Sequence, residues 1–396
     1  MRGKRSLGAV YTPIDVIDFM LSLICPPKTK TWKVLEPACA DAPFLRRFRE
    51  RFGKRHALYG IEYDEDVIER FNAQGARLTH TDFLLWEPGE QFDLILGNPP
   101  YGIIGDQSHY PIHALKDVKE KYKQKSGTWR GKYNIYGAFI EHSVKLLKAG
   151  GELLFIVPSS WLLLDDFKLL RAFLAQHGEM SVYYVGHAFP GVQVTAVVLH
   201  FAKRNSGKLR LYDREALWLE KETYEGGLIR FETDETRSFE SATSTTIGDL
   251  FHVHFAARSP EVRKSPYMHD QPGKGRVPLL TGRNLKPNAI EYDKNYTGLW
   301  IEHKHASSLR SFYGFPHLVV GHTKGARVVA AYDDKCYPWR EEFHLVPKFP
   351  IDESRILEYM NSAAMQSYVQ TLYRNLIPHL TKTQLEALPV AEAVLP

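Results

Sequence analysis

Apolar residues recur along the first two hundred positions in two alternating rhythms. Ile14, Ile17, Met20, Leu21 and Ile24 stand at helical spacing behind Thr12-Pro13, which reads as a helix start. Lys33-Val34-Leu35 is too short for a helix and reads as a strand. Phe44 to Phe52 is a basic amphipathic helix, Ala57 to Ile61 a strand, and Val67 to Ala73 a helix. Phe92-Asp93-Leu94-Ile95-Leu96 and Leu153-Leu154-Phe155-Ile156-Val157 are near-continuous apolar runs, as strands buried on both faces require. The helix Tyr136–Leu147 lies between them, with Lys148-Ala149-Gly150-Gly151 as its expected C-cap. A helix over Phe167–Leu174 and strands at Val182–Val185 and Thr195–Phe201 complete the series. Strands alternating with helices predict a doubly wound α/β sheet.

The rhythm breaks after about residue 205. Short irregular segments, Gly/Pro turns and nine histidines follow. This shift predicts a second domain beginning between 205 and 250, set here as 1–244 and 245–396. A chain of 396 residues fits two domains. The three cysteines, Cys25, Cys39 and Cys336, have neither metal-ligand nor disulfide-framework spacing, and no metal site is expected. Reduced thiols, no apolar leader after Met1-Arg2-Gly3-Lys4-Arg5 and no run long enough to span a bilayer give a cytoplasmic expectation without membrane contact. The net charge of +5 permits nucleic-acid binding without establishing it.

The candidate chemistry lies at strand ends. Asn98-Pro99-Pro100-Tyr101 follows the strand at Phe92–Leu96, at the edge where open α/β sheets place ligands. The prolines lack N–H groups, so this stiff corner offers carbonyls. Asn98 adds an amide oxygen and Tyr101 a flat ring. Such a corner suits a planar molecule with an exocyclic amino group. Earlier strand ends carry Glu36-Pro37-Ala38-Cys39, Glu62 and Asp82-Phe83. A carboxylate ending the second strand is placed to accept from ribose hydroxyls. A phosphate-binding loop would need glycines and a cation, so nicotinamide dinucleotides and ATP are disfavoured.

The corner resembles that of amino-methyltransferases using S-adenosylmethionine (SAM), which modify adenine, cytosine or glutamine nitrogen. The longer order, from Thr12-Pro13 through Leu35-Glu36-Pro37-Ala38-Cys39, Glu62, Asp82-Phe83-Leu84-Leu85-Trp86 and the corner, is similar to the TaqI-type γ-class DNA adenine-N6 methyltransferases of restriction–modification systems. The similarity continues in Phe255-Ala256-Ala257-Arg258, Leu280-Thr281-Gly282-Arg283-Asn284-Leu285-Lys286, His322-Thr323-Lys324-Gly325 and Pro378-His379-Leu380-Thr381. It departs at the glycine-rich first loop, here Ala40-Asp41-Ala42-Pro43, and at Val192, where the family places a lysine.

The resemblance implies a catalytic domain followed by a target-recognition domain acting on double-stranded DNA. Asn98 and Pro99 would hold the target amine, with Pro100 in the same catalytic corner, and Tyr101 and Phe189 would stack on an extruded adenine. Phe189 is expected to be exposed in a loop. Thr12, Glu36, Ala38, Glu62, Asp82, Phe83 and Phe139 would contact SAM, with Pro37 and Cys39 in the same loop. Arg258, Arg283, Lys286 and Lys324 would contact DNA, and Pro378 would fill the gap left by the flipped base. The family match also implies a TCGA site, a monomer, and a companion endonuclease in the cell without a stable complex. Residues 115–132, rich in lysine, read as a mobile basic loop over DNA. An RNA or protein-glutamine methyltransferase, and an inert DNA-binding module, remain as alternatives.

Overall fold

The computed structural model describes residues 11–66, 75–106, 112–189, 191, 194–322 and 325–394, with the side chains of 113 and 114 not described. The expected helix at 67–73 lies outside them. The chain forms two compact units that divide between Arg230 and Phe231.

The first unit is built on a nine-stranded sheet in the order β3-β2-β1-β4-β5-β7-β6-β8-β9. Helix α1 (Ile14–Ser22) is followed by β1 (Lys33–Pro37), α2 (Pro43–Phe52), β2 (Ala57–Glu62), β3 (Ala76–His80) and β4 (Phe92–Gly97). A 3-10 turn at Ile112–Asp117 leads into α3 (Lys119–Lys125). Then come α4 (Ile135–Leu146), β5 (Leu147–Pro158), α5 (Lys168–His177), β6 (Glu179–Gly186), β7 (Ala196–Ala202), β8 (Leu209–Asp213) and β9 (Ala216–Lys221). β1 pairs in parallel with both β2 and β4, and β4 with β5. β7 runs antiparallel between β5 and β6. β4 is buried at every position, and Leu153 to Val157 of β5 are each 0% exposed. That burial explains why these strands read as unbroken apolar runs.

Two local expectations change. Helix α4 ends at Leu146 and the chain enters β5 at once. Gly150, at φ 75°, lies where the β4–β5 pairing is irregular, so the glycines shape a strand entry and do not cap the helix. The basic stretch expected as a mobile loop contains α3, because Tyr122 has a buried place to occupy at 3% exposure.

The second unit contains an antiparallel sheet made of Phe251–Phe255, Phe343–Pro347, His317–Val320 and Ala330–Asp333, in that spatial order. Residues 231–244, placed in the first domain by the sequence reading, lie with this unit. The Phe231 N–H donates to the Leu372 carbonyl at 3.1 Å, and the Tyr368 hydroxyl to Glu240 at 2.6 Å.

Candidate active site

β1 and β4 are neighbours from which the sheet order runs outward in both directions, and ligands collect beyond the carboxyl ends of such a pair. Asn98 to Tyr101 leave β4 there. The Asn98 Nδ2 donates to the Thr12 Oγ1 at 3.1 Å, an assignment that makes the side-chain oxygen of Asn98 the acceptor. The Tyr101 hydroxyl donates to the Ile156 carbonyl on β5 at 2.9 Å. Gly102 follows with its N–H held by the Asn134 Oδ1 at 2.8 Å. Its φ of 143° and a neighbour, Ile112, only 3.0 Å from any Cβ leave room for glycine alone. The corner is thus fixed from three sides before any ligand arrives.

Three carboxylates brace the strand ends. Glu36 is 2% exposed and accepts the Leu45 N–H at 3.0 Å, in the first turn of α2. Burial pushes its carboxyl well above the usual range, against hydrogen bonds from the Leu45 and Phe44 backbone. Glu62 ends β2 and accepts the Ala40 N–H at 2.7 Å with one oxygen and those of Tyr63 and Asp64 with the other. Asp82 accepts the Leu84 N–H at 3.0 Å and the Tyr122 hydroxyl at 2.7 Å. The loop between β1 and α2 carries Ala38, Ala40 and Ala42 at φ 51°, 45° and 51°. These alanines adopt the left-handed conformation that glycine usually supplies, at a cost of roughly 1–2 kcal/mol per residue.

Phe83 and Phe139 form the aromatic wall, with ring centroids 5.0 Å apart. His142 stands edge-on behind Phe83 at 4.8 Å, and burial pushes its imidazole down to about 4.

One pocket collects Thr12, Glu36, Ala38, Cys39, Glu62, Asp82, Phe83, Asn98, Pro99, Pro100, Tyr101 and Phe139. Pro37, in β1, is not among its lining residues. Phe189 is a correction: it is 2% exposed in the core, not displayed on a loop, and meets Tyr101 edge-on at 6.3 Å. The apolar space beside Tyr101 outcompetes solvent for that ring. The sequence reading missed Tyr122, Asp41 and Asp64 in this lining. Tyr122 had a signal, since it is the single aromatic in Lys119-Glu120-Lys121-Tyr122-Lys123-Gln124-Lys125.

Comparison with known proteins settles the family. Residues 17–187 match a model described as the Eco57I restriction-modification methylase, and residues 277–390 one described as the TaqI-like C-terminal specificity domain. The chain is 53% identical over 402 residues to the Type II methyltransferase M.TthHB8I of Thermus thermophilus, covering 99% of this chain and 92% of that one. The chain belongs to the Type II restriction–modification DNA methyltransferases. Among solved structures, the fold resembles the Type ISP restriction-modification enzyme LlaGI in complex with a DNA substrate mimic. There the TM-score is 0.56 at 11% identity, over 96% of this chain and 54% of that one. It also resembles the Type IIL enzyme MmeI in complex with DNA, with a TM-score of 0.53 at 12% identity over 92% and 61%.

The cofactor of this methyltransferase is SAM, and the pocket fits it. Asp41, Glu62, Asp64 and Asp82 line the cavity together with Glu36, which burial pushes toward its neutral form, and no Lys, Arg or His stands among its described lining residues. That charge suits a sulfonium and an ammonium and repels phosphate. Glu62 at the β2 end suits ribose hydroxyls, and the Phe83–Phe139 wall suits a flat base.

In the specificity unit, Arg258 is exposed with its guanidinium 5.7 Å from the Phe255 ring centre. Arg283 and Lys286 are exposed on a turn anchored by buried Asn284. That amide accepts the Thr281 N–H and donates to the Glu291 and Lys294 carbonyls at 2.8 and 2.7 Å. Lys286 also pairs with Glu291 at 3.6 Å. Pro378 is exposed between Ile377 and Leu380, which are 3% and 4% exposed. His379 bridges to Gly325. Lys324 lies outside the described residues. Among the described residues no helix is long and apolar enough to cross a membrane.

Proposed function

We propose that this methyltransferase modifies the N6 amino group of an adenine flipped out of duplex DNA. SAM supplies an electrophilic methyl group on a positive sulfur. The residues around it prepare the nucleophile. An exocyclic amine is weak because its lone pair is delocalised into the ring. The Asn98 side-chain oxygen and the Pro99 carbonyl each accept one N–H, which favours a pyramidal nitrogen and frees the lone pair for in-line attack. No base is needed before transfer, and the proton leaves afterwards. Positioning and fixed dipoles carry this catalysis.

Tyr101 offers its ring to the extruded base, with Phe189 completing the aromatic wall behind it. Extrusion costs a few kcal/mol, offset by this stacking and by phosphate contacts. Arg258, Arg283, Lys286 and Lys324 are proposed as DNA contacts, and Pro378 as the residue that fills the vacated space. The family resemblance alone points to a TCGA site. On this reading the enzyme acts as a cytoplasmic monomer, protecting DNA from a companion endonuclease with which it forms no lasting complex.

The observation that carries the reading is the Thr12–Asn98 hydrogen bond, which orients an amide acceptor inside an acid-lined pocket. The test is tritiated methyl transfer from SAM to duplex DNA, RNA and protein in parallel, with nucleoside analysis of the DNA product. N6-methyladenine confined to duplexes carrying TCGA is expected. N4-methylcytosine, or label in RNA or glutamine, would replace this reading.

A further inference from the structure

Ile103 and Asn134 form an antiparallel bridge, which brings together the two ends of the excursion that carries α3. Within this excursion α3 has two unlike faces. Inward, Tyr122 is 3% exposed, lines the cofactor pocket and donates its hydroxyl to the Asp82 Oδ2. Outward, Lys121, Lys123 and Lys125 are exposed, as are Lys116 before the helix and Arg130 and Lys132 after it. Ile112 and Leu115 add apolar walls to the same pocket.

The C-terminal root of α3 is held firmly. Buried Glu141 on α4 accepts the Gly127 and Thr128 N–H groups at 2.9 and 3.0 Å and the Ser126 and Thr128 hydroxyls. The other end of the helix is tied by Lys119 Nζ to the Ile104 carbonyl, a contact within the excursion itself. Two side-chain contacts join the helix to the segment that follows β3: the Tyr122–Asp82 bond, inside the cofactor pocket, and an ion pair between Lys125 and Glu87 at the outer end. The other Asp82 oxygen is already engaged by the Leu84 N–H, so the phenol fixes the rotation of this carboxylate.

We propose that α3 is a lid whose inner latch is the Tyr122–Asp82 hydrogen bond and whose outer face takes the phosphates of duplex DNA, so that cofactor and DNA each strengthen binding of the other. The proposal rests on the DNA methyltransferase reading above. Tyr122 is a positioning residue in it. Ordering one lid serves both ligands, and the coupling is reciprocal by linkage.

The experiment measures the affinity of the full chain for sinefungin, an unreactive cationic SAM analogue, with and without saturating TCGA duplex. Wild type, Tyr122→Phe and the double variant Lys116→Ala/Lys121→Ala are compared. Duplex should tighten sinefungin binding to wild type by at least about fivefold, the low end of typical couplings. Tyr122→Phe should bind sinefungin about fivefold more weakly alone, as loss of a hydrogen bond to a charged group implies, and show little gain with duplex. Its KM for SAM should rise while kcat at saturation holds. The lysine variant should match wild type without DNA and lose part of the gain with it. Wild-type affinity and a full DNA gain in Tyr122→Phe would overturn the lid. Failure of wild type to bind sinefungin at all would instead remove the methyltransferase reading, and the lid with it.

Discussion

Thr12 and Asn98 are 86 positions apart in the chain, yet their side chains meet at 3.1 Å, hydroxyl oxygen to amide nitrogen. In this arrangement the amide nitrogen of Asn98 turns toward Thr12 and the side-chain oxygen away from it. Asn98→Ala should leave SAM affinity nearly intact and lower kcat by ~10²–10³, as removal of a positioned electrostatic group typically does. Thr12→Val removes the acceptor that orients the amide and should cost up to about tenfold in kcat, the worth of one ordinary hydrogen bond. Single-turnover rates beside calorimetric SAM titrations check both. Near-wild-type turnover in Asn98→Ala would refute the assigned role.

Tyr101 has two jobs that separate by mutation. Tyr101→Ala should weaken binding of the extruded base by roughly 1–3 kcal/mol through lost stacking. Tyr101→Phe keeps the ring but strands the buried Ile156 carbonyl, so it should cost ~1 kcal/mol of stability with little change in base binding. Fluorescence of 2-aminopurine at the target position reads the first effect and thermal unfolding the second. Equal base binding in all three proteins would argue against stacking.

The left-handed alanines predict an unusual tolerance. Ala40→Gly relieves backbone strain of roughly 1–2 kcal/mol but adds unfolded-state freedom worth roughly 0.5–1 kcal/mol. The net result should be neutral to slightly stabilising. Ala40→Val, β-branched at φ 45°, should be clearly destabilising. Melting temperatures of the two variants should move apart, with valine lower; a valine variant as stable as wild type would contradict this.

Buried imidazoles set the response to acid. His142 and His322 are both pushed down to about 4 by burial, and His344 is held well below its ordinary 6.5 by burial and by the neighbouring His317. Their folded values lie below the unfolded one. Their stabilising contribution is therefore whole above pH 6.5 and is lost as pH falls toward 4. The midpoint of urea unfolding should fall between pH 7 and pH 5, and less steeply in His142→Phe, which cannot titrate there. A midpoint that stays flat over this range would contradict the assignment.

Pro378 carries a prediction about DNA. If its exposed ring fills the space left by the base, Pro378→Gly should slow methylation of a matched duplex. It should spare a duplex with an abasic site opposite the target. Equal loss on both substrates would make Pro378 a turn residue.

The alternation of strands and helices was legible because each strand is a short apolar run between helical repeats, and the pocket acids Glu36 and Glu62 stood out because each follows such a run. The corner at Asn98 was legible because its prolines and aromatic have a direct chemical meaning. β3 was not, since Ala76 to His80 is a half-exposed strand with no apolar repeat. Phe189 was misread because a loop position says nothing of which side the ring turns to, and Tyr101 offered it a buried neighbour. Tyr122 was hidden by its lysine neighbours, whose charge suggested a solvated loop while one ring in seven residues did the packing.

The acid-lined pocket also bears on what happens after the reaction. Methyl transfer turns the sulfonium of SAM into an uncharged thioether. The acids Asp41, Glu62, Asp64 and Asp82 then face a guest whose sulfur no longer carries charge, beside Glu36, which burial pushes toward its neutral form. Electrostatics alone thus ranks the fresh cofactor above the spent one. On charge alone, the acid lining would favour exchange of the spent cofactor for a fresh one.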